Sequence, residues 1–221
     1  MRVLYRFAKK ERLRFVSHLD LQRFMQRALN RTGLKIAYSN GFNPHPILSF
    51  ASALAIGWTS EYELFDVKLA EPIDRDTALA EMRQALPPDL PILDARLVDD
   101  RHPALMGRLV MADYDLGLAD GVKALHEAAD AYWAQETVLA MRKTKSGEKQ
   151  TNIRPMSIFL EKKPSGFYAR LMLTEQETLK PDLLLRTLAE IAGIELPPVR
   201  IHRLLLLGQD ARGTAKPLLD L

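Results

Sequence analysis

The spacing of apolar residues along this chain switches between a period of two and a period near 3.6, and the order of the switches occurs twice. Val3, Tyr5 and Phe7 alternate with their neighbours, which predicts a first strand with one buried face. Behind it, Leu21 and Met25 belong to an apolar series at helical spacing. Each half of the chain then follows the order strand, helix, strand, strand, helix, strand.

This order predicts an α+β fold made of two tandem ferredoxin-like βαββαβ units with antiparallel sheets. The first unit is predicted at residues 1–98, with a short second strand at 34–38. Residues 99–108 are predicted to be a linker, and 109–221 to form the second unit. Within the second unit, the polar and basic composition of residues 142–154 predicts a loop.

Helix ends carry their own signals. Ser17 with Asp20 three residues later resembles a capping box, and Gly33 is predicted to end the helix that follows. Asp74 is predicted to cap a second helix. A proline and a glycine delimit a further helix predicted over residues 181–192.

The chain contains no cysteine, which excludes disulfides, thiolate zinc sites, a thiol nucleophile and an iron–sulfur cluster held by its own thiolates. Its first residues carry charges where a signal peptide needs an apolar stretch. No segment approaches the roughly 20 apolar residues of a membrane span. We therefore expect a cytoplasmic protein that does not enter a membrane.

Charge is unevenly distributed along the sequence. Residues 1–35 contain ten Lys or Arg and two acidic residues, whereas the next hundred contain seven basic and sixteen acidic residues. Residues 136–170 contain eight basic and three acidic residues. Because clustered basic side chains bind phosphates, two segments are candidates for nucleic-acid binding. The predicted RNA-binding residues are Lys9, Lys10, Arg12, Arg14, Arg23, Arg27, Arg31, Arg142, Lys143, Lys145, Lys149 and Arg154.

Two motifs in the first half are specific: RFVSHLDL at residues 14–21 and GLKIAYSNGFNPHP at residues 33–46. They resemble the radical SAM-linked family, whose pattern is F-x-S-H-L-D, a helix, and then G-L-x-x-x-Y-S-x-G-F-x-P-H-P. The resemblance extends to NIRP at residues 152–155, although the family more often has Asp at position 152 than Asn. The motif residues singled out are Ser17, Asp20, Ser39, Asn40, Gly41, Phe42, Asn43, Pro44 and Pro46.

This resemblance implies a companion of radical SAM proteins, encoded beside one or fused to one. It also implies that S-adenosylmethionine and an iron–sulfur cluster belong to the partner. The family is similar in architecture to the repeat-associated RNA-processing proteins of CRISPR systems, whose paired ferredoxin-like domains grip RNA. That second similarity concerns the fold alone.

Two histidines and one aromatic residue have more than one interpretation. His18 at a helix start and His45 between two prolines are candidates for an acid or a base, or they have structural roles only. Their spacing with Asp20 matches no metal-ligand signature, so we predict no metal site. Phe42 is either an exposed platform for a base or a side chain that fills the core.

Three functions are compatible with these observations. The first is a non-catalytic RNA-binding protein that assists a radical SAM enzyme in modifying or processing ribosomal or transfer RNA. The second is a metal-independent endoribonuclease that uses His18 or His45. The third is a protein–protein adaptor that does not bind RNA.

Overall fold

A computed structural model describes residues 1–144 and 147–221, with the backbone alone at residues 143 and 144. It has an α+β fold whose strand pairing is mostly antiparallel. The strands in this part of the chain are β1 (Arg2–Lys9), β2 (Leu48–Phe50), β3 (Thr59–Lys68), β4 (Ile92–Val98), β5 (Leu109–Leu118), β6 (Leu139–Thr144), β7 (Gly147–Asn152), β8 (Ser157–Lys163), β9 (Gly166–Met172), β10 (Val199–Gln209) and β11 (Ala215–Pro217). The helices are α1 (His18–Leu29), α2 (Arg75–Ala85), α3 (Leu105–Arg108), α4 (Val122–Trp133) and α5 (Pro181–Ala192).

The chain divides into two compact units. The first is formed by residues 1–109 together with 205–221, and the second by residues 110–204. The last part of the chain therefore clusters with the beginning. The division predicted from the sequence, with units at 1–98 and 109–221 and a linker at 99–108, stays a prediction.

In the first unit, β1 pairs with β3 on one side and β4 on the other, and β2 extends the sheet beyond β3. All three pairings are antiparallel. Tyr5, Phe7 and Phe65 point to one face of this sheet, where they form a core with α1 and α2. Tyr5 stacks on Phe65 with ring centroids 5.1 Å apart. Burial of these large apolar rings stabilises the first unit.

The end of the chain is fastened to strands of the first unit. The backbone N–H of Leu219 donates to the hydroxyl of Tyr62 at 3.2 Å. The guanidinium of Arg96 donates to the carbonyl oxygens of Leu219 and Leu221, at 2.7 and 3.1 Å. These bonds explain why residues 205–221 cluster with the first unit.

In the second unit, β9 pairs antiparallel with β5 and β8, and β10 lies on the other side of β5. Helices α4 and α5 pack on it with fully buried residues such as Leu125, Tyr132, Leu184 and Leu188. Strands β6 and β7 pair with each other as a separate antiparallel hairpin. The hairpin therefore interrupts the order of elements in this unit.

Several predictions about local structure are confirmed. Helix α5 spans residues 181–192, as predicted. The hydroxyl of Ser17 accepts a hydrogen bond from the backbone N–H of Asp20 at 3.2 Å, so it caps α1. The carboxylate of Asp74 accepts a bond from the N–H of Thr77 at 2.9 Å and caps α2 in the same way.

Three local predictions need correction. Helix α1 ends at Leu29 and not at Gly33, because Gly33 bonds instead to the Glu81 carboxylate on α2, at 2.6 Å. Residues 34–38 form isolated bridges in place of a strand: Ile36 pairs with Leu69, whereas Tyr38 pairs with Pro46. In the basic segment predicted as a loop, residues 142–144 and 147–152 lie in the paired strands β6 and β7.

The helices in the described residues are all too short or too polar for a membrane-crossing segment.

Candidate nucleic-acid interface

The first candidate surface is built on α1. Leu21, Met25 and Leu29 lie on its inner side and are buried against the sheet. This packing fixes the rotation of the helix, so the residues on the opposite side must face solvent. The arginines at helical spacing, Arg23 and Arg27, lie on that outer side and are exposed.

The contacts of these arginines are sparse. Arg23 is 68% exposed and lies 3.5 Å from the carboxylate of Asp20, a pairing that stabilises little in water. Arg31, just beyond the helix, donates to the carbonyl oxygen of Ala85 at 3.1 Å and is otherwise exposed. The guanidinium groups of Arg23, Arg27 and Arg31 therefore remain accessible to an anionic partner.

Lys9 has a different place from the one predicted. Its side chain is buried, and its ammonium donates to the carbonyl oxygens of Arg14 and Val16, at 3.0 and 2.9 Å. Burial lowers the pKa of Lys9, and the nearby Glu63 opposes that change. Lys9 thus holds the turn that leads into α1, and it is not part of the exposed basic surface.

The other basic residues of this segment are accessible. Lys10 is exposed, and Arg12 is 83% exposed with a long contact of 3.6 Å to Asp89. Arg14 pairs with Glu11 and lies 4.6 Å over the ring of Phe15. Phe15 is itself 66% exposed, so an apolar ring lies beside the basic groups.

The second half of the motif forms a closed loop, residues 39–46, which we call the motif loop. The Ser39 hydroxyl lies 3.0 Å from Nδ1 of His45 and accepts from the His45 backbone N–H at 3.2 Å. The Ser39 N–H donates to the His45 carbonyl oxygen at 2.9 Å. Tyr38 and Pro46 form a bridge just outside this pair, and Pro46 is buried. These contacts close the base of the loop and leave its tip free.

The tip presents an aromatic ring to solvent. Gly41 has φ = 120°, a conformation that L side chains rarely adopt, and it turns the chain there. Phe42 follows with an exposure of 110%, so the alternative in which it fills the core is wrong. The remaining tip residues, Asn40, Asn43 and Pro44, are exposed as well.

A side-chain contact joins the motif loop to α1. The hydroxyl of Tyr38 donates to the side-chain oxygen of Asn30, the residue that caps the C-terminal end of α1, at 2.8 Å. Beside this contact lies a cavity of about 300 Å³ whose lining includes Tyr38 and Lys35. We call the exposed face of α1, the residues Arg31, Lys35 and Tyr38 that follow it, and the motif loop the loop–helix surface. Sequence reasoning missed Tyr38 and Lys35 as site residues, although both lie inside the recognised motif.

The two motif histidines have distinct environments. The His18 ring lies edge-on to Phe50, with centroids 5.1 Å apart. Burial lowers the pKa of His18, and the nearby Lys9 ammonium lowers it further. His45 is exposed and tied to Ser39 as described. Within residues 1–144 and 147–221, no group of three or more His, Asp or Glu side chains is arranged to hold a metal ion.

The second basic cluster lies in the second unit. Arg142 is half-buried and stands opposite the exposed Lys149 in the β6–β7 hairpin. The side chain of Lys143 and the whole of Lys145 lie outside the described residues. Arg154 follows the hairpin, with its guanidinium carbon 3.7 Å from the ring centroid of Trp133.

Asn152 has a structural role that its chemistry explains. Its side-chain oxygen accepts from the backbone N–H groups of Val138 and Arg154, at 3.0 and 3.2 Å. An oxygen acceptor is all that this position needs, and an Asp carboxylate supplies one equally well. The Asn in place of the family's more frequent Asp is thus compatible with the local backbone.

Fold and surface together define an α+β protein with a mostly antiparallel sheet and an exposed aromatic loop beside a basic helix face. The model of a family described as "uncharacterized protein conserved in bacteria" (DUF2344) matches residues 2–181. The chain therefore belongs to this family. No curated protein matches the chain.

Proposed function

We propose that this chain is a non-catalytic RNA-binding accessory protein that works with a radical SAM enzyme in RNA modification or processing. The observation that carries the proposal is the exposure of Phe42, at 110%, on a loop whose base contacts the basic helix α1. Exposed aromatic rings beside cationic side chains are typical of surfaces that bind single-stranded RNA.

Each part of the loop–helix surface has a proposed task. Arg23, Arg27 and Arg31 contact phosphates, which gives affinity without sequence preference. Phe42 stacks on an unpaired base at the loop tip. The cavity beside Tyr38 and Lys35 receives a neighbouring group of the same strand. Lys10, Arg12 and Arg14 extend the phosphate contacts along the turn before α1.

The basic residues of the second unit form a proposed second RNA contact. They are Arg142, Lys143, Lys145, Lys149 and Arg154. What supports it is the excess of positive charge in this stretch of sequence and the exposure of Lys149.

The proposed partner supplies the chemistry. The chain has no cysteine, so the cluster that cleaves S-adenosylmethionine in radical SAM enzymes would be held by the partner's thiolates. The proposal of such a partner is supported by the resemblance of the SHLD and GFNPHP motifs to the radical SAM-linked family. For the fold, we propose two tandem ferredoxin-like units, supported in the first unit by the strand order β4-β1-β3-β2. We further propose a cytoplasmic location.

The test is to bind the purified protein to total cellular RNA over a salt series and to sequence what is retained. Intact, enriched RNA with a steep salt dependence is the expected result. RNA cleaved in a manner that His18→Ala or His45→Ala abolishes would replace the proposal with an endoribonuclease. No retention at low salt would leave a protein–protein adaptor.

A second experiment addresses the partner. The radical SAM protein encoded closest to this chain is reconstituted with its cluster, and its cleavage of S-adenosylmethionine is followed on the RNA retained in the first experiment. The proposal expects faster cleavage with the wild-type chain than with Phe42→Ala. Equal rates with and without the chain would contradict an accessory role.

A further inference from the structure

Residues 152–157 form a rigidly held turn in the second unit. Ile153 is fully buried, and its backbone N–H donates to the carbonyl oxygen of Val138 at 2.9 Å. The buried hydroxyl of Tyr132 donates to the Ile153 carbonyl oxygen at 3.2 Å and lies 2.6 Å from the hydroxyl of Ser157. Together with the two bonds to Asn152, these contacts fix the backbone from which Arg154 projects.

The Arg154 side chain is held by rings and not by a counter-charge. Its guanidinium carbon lies 3.7 Å from the centroid of Trp133 and 5.9 Å from that of Tyr132. No carboxylate of the described residues forms an ion pair with it. Stacking on indole orients the planar donor groups of arginine while leaving them unused.

Arg154 is not oriented by hydrogen bonds to the carbonyl oxygens at the C-terminal end of α4. The carbonyl oxygen of Asp130 already accepts from the N–H of Ala134 at 3.0 Å, and that of Tyr132 accepts from the N–H of Gln135 at 3.3 Å. The carbonyl oxygen of Ala131 accepts from the Gln135 side-chain amide at 3.0 Å. Arg154 donates to none of these oxygens in the described part of the chain.

The guanidinium borders a cavity of about 350 Å³, lined by Trp133, Ala134, Gln135, Glu136, Arg154 and Pro155. Nε of Arg154 is shielded from water and has no acceptor among the described residues. A buried N–H without an acceptor is unfavourable, so its presence needs an explanation. An oxyanion in the cavity would accept from the terminal nitrogens of the guanidinium, whose donors lie in one plane.

From these observations, we infer that Arg154, oriented by Trp133, forms a binding site for a single phosphoryl group. The tetrahedral oxygens of phosphate match the paired donors of a guanidinium, and stacking removes the cost of ordering the side chain. Glu136 is the acidic residue in the lining, and it makes the site weaker than it would otherwise be. The inference goes beyond the proposed RNA surface in the first unit and holds whether or not that surface binds RNA.

The experiment uses Trp133 as the reporter. The chain has two tryptophans, so Trp58→Phe leaves Trp133 as the sole source of indole emission. Inorganic phosphate is titrated into this variant, with potassium chloride at matched ionic strength as the reference. We expect a saturable change in emission with phosphate that chloride does not reproduce.

Three further variants test whether the response comes from the guanidinium of Arg154. Arg154→Lys keeps the charge but loses the paired donors, so phosphate affinity should fall about tenfold or more, the factor that one charge-assisted hydrogen bond supplies. Arg186→Lys is the matched control, since Arg186 already pairs with Asp182 at 2.9 Å, and it should leave the titration unchanged. Glu136→Gln should bind phosphate more tightly.

The source of the phosphoryl group is distinguished with short oligonucleotides. Tighter binding of a 5′-phosphorylated strand than of its unphosphorylated form, lost in Arg154→Lys, assigns the site to RNA ends. Equal binding of the two strands, with the phosphate response intact, assigns it to a small phosphorylated molecule. A phosphate response equal to that of chloride, or one that Arg154→Lys leaves unchanged while circular dichroism shows a folded chain, would overturn the inference.

Discussion

The loop–helix surface and the Arg154 turn use positive charge in opposite ways. On α1, Arg23 is 68% exposed and pairs with Asp20 at 3.5 Å, an exposed contact that does little to hold the side chain in one conformation. In the second unit, the guanidinium carbon of Arg154 lies 3.7 Å from the ring centroid of Trp133, beside a turn held by five hydrogen bonds. Arginines of equal formal charge therefore have very different conformational freedom.

This difference predicts different kinds of recognition. Mobile charges along a helix attract a polyanion at many positions, and their effect is screened by salt. A guanidinium fixed in one plane selects for a ligand with matching oxygens and loses less conformational entropy on binding. We therefore expect the first surface to supply affinity for a strand, and the second to recognise one group.

The largest expected effect comes from reversing the charge on α1. The triple variant Arg23→Glu, Arg27→Glu and Arg31→Glu should lose most RNA affinity, because each lost phosphate contact reduces the salt slope by about 0.7 to 1. Filter binding across a salt series measures both quantities. Lys123→Glu on α4, where Lys123 is 93% exposed, is the control for charge alone. An unchanged slope in the triple variant would remove α1 from the interface.

Next in size is the loss of the ring at the tip of the motif loop. Phe42→Ala should weaken RNA binding by about 1–3 kcal/mol, the contribution of one base stacked on an aromatic ring. Thermal stability should not change, because Phe42 makes no buried contact at 110% exposure. Ile56→Ala, at a 60% exposed apolar residue, tests whether exposed apolar area in general matters. Equal affinity of both variants would speak against stacking.

Variants of the neighbours Lys9 and Lys10 distinguish a lysine that stabilises the fold from one that binds RNA. Lys9→Met removes the donor to two carbonyl oxygens, so the free energy of unfolding should fall by about 1–3 kcal/mol. Its RNA salt slope should stay as in the wild type. Lys10→Met, at an exposed position, should lower the RNA salt slope and leave the free energy of unfolding unchanged. Chemical denaturation measures the free energy of unfolding of both variants, and filter binding measures their salt slopes. A Lys9→Met chain of unchanged stability with a lower salt slope would contradict the structural role of Lys9.

The smallest expected effect concerns pH. Burial lowers the pKa of His18 below its ordinary 6.5, so the folded chain binds this proton less tightly than the unfolded chain does. With respect to this group, the free energy of unfolding therefore has its full value above pH 6.5 and decreases as the pH falls below 6.5. Melting temperatures at about pH 7.5 and about pH 5.5 should differ more in the wild type than in His18→Gln. The same difference in both chains would show that His18 is not the group responsible.

Much of the fold was readable from the sequence, because local signals agree with the tertiary structure. The α5 helix has its proline and its glycine where a helix begins and ends, and Ser17 and Asp74 cap as their residue types predict. The hairpin β6–β7 was missed since its lysines and polar residues resemble a loop. Pairing along the whole length of both strands outweighs that composition.

The site was only partly readable. The burial of Lys9 was predictable, since Lys9 continues the alternating series Val3, Tyr5 and Phe7 of β1. The sequence gives no signal for the direction of the Phe42 ring, because an apolar residue between Gly41 and Asn43 in a turn is compatible with either a buried or an exposed ring. The stacking of Arg154 on Trp133 joins residues far apart in sequence, so it needed the structure.

Ultraviolet crosslinking of bound RNA, followed by mass spectrometry of the tryptic peptides, tests the central claim most directly. Cleavage after Lys35 and Lys68 yields one peptide, residues 36–68, that contains the whole motif loop. We predict a nucleotide adduct on this peptide, located at Phe42 or Tyr38 and lost in Phe42→Ala. RNA that is bound but crosslinked only to peptides without the motif loop, or an absence of any adduct, would contradict the account.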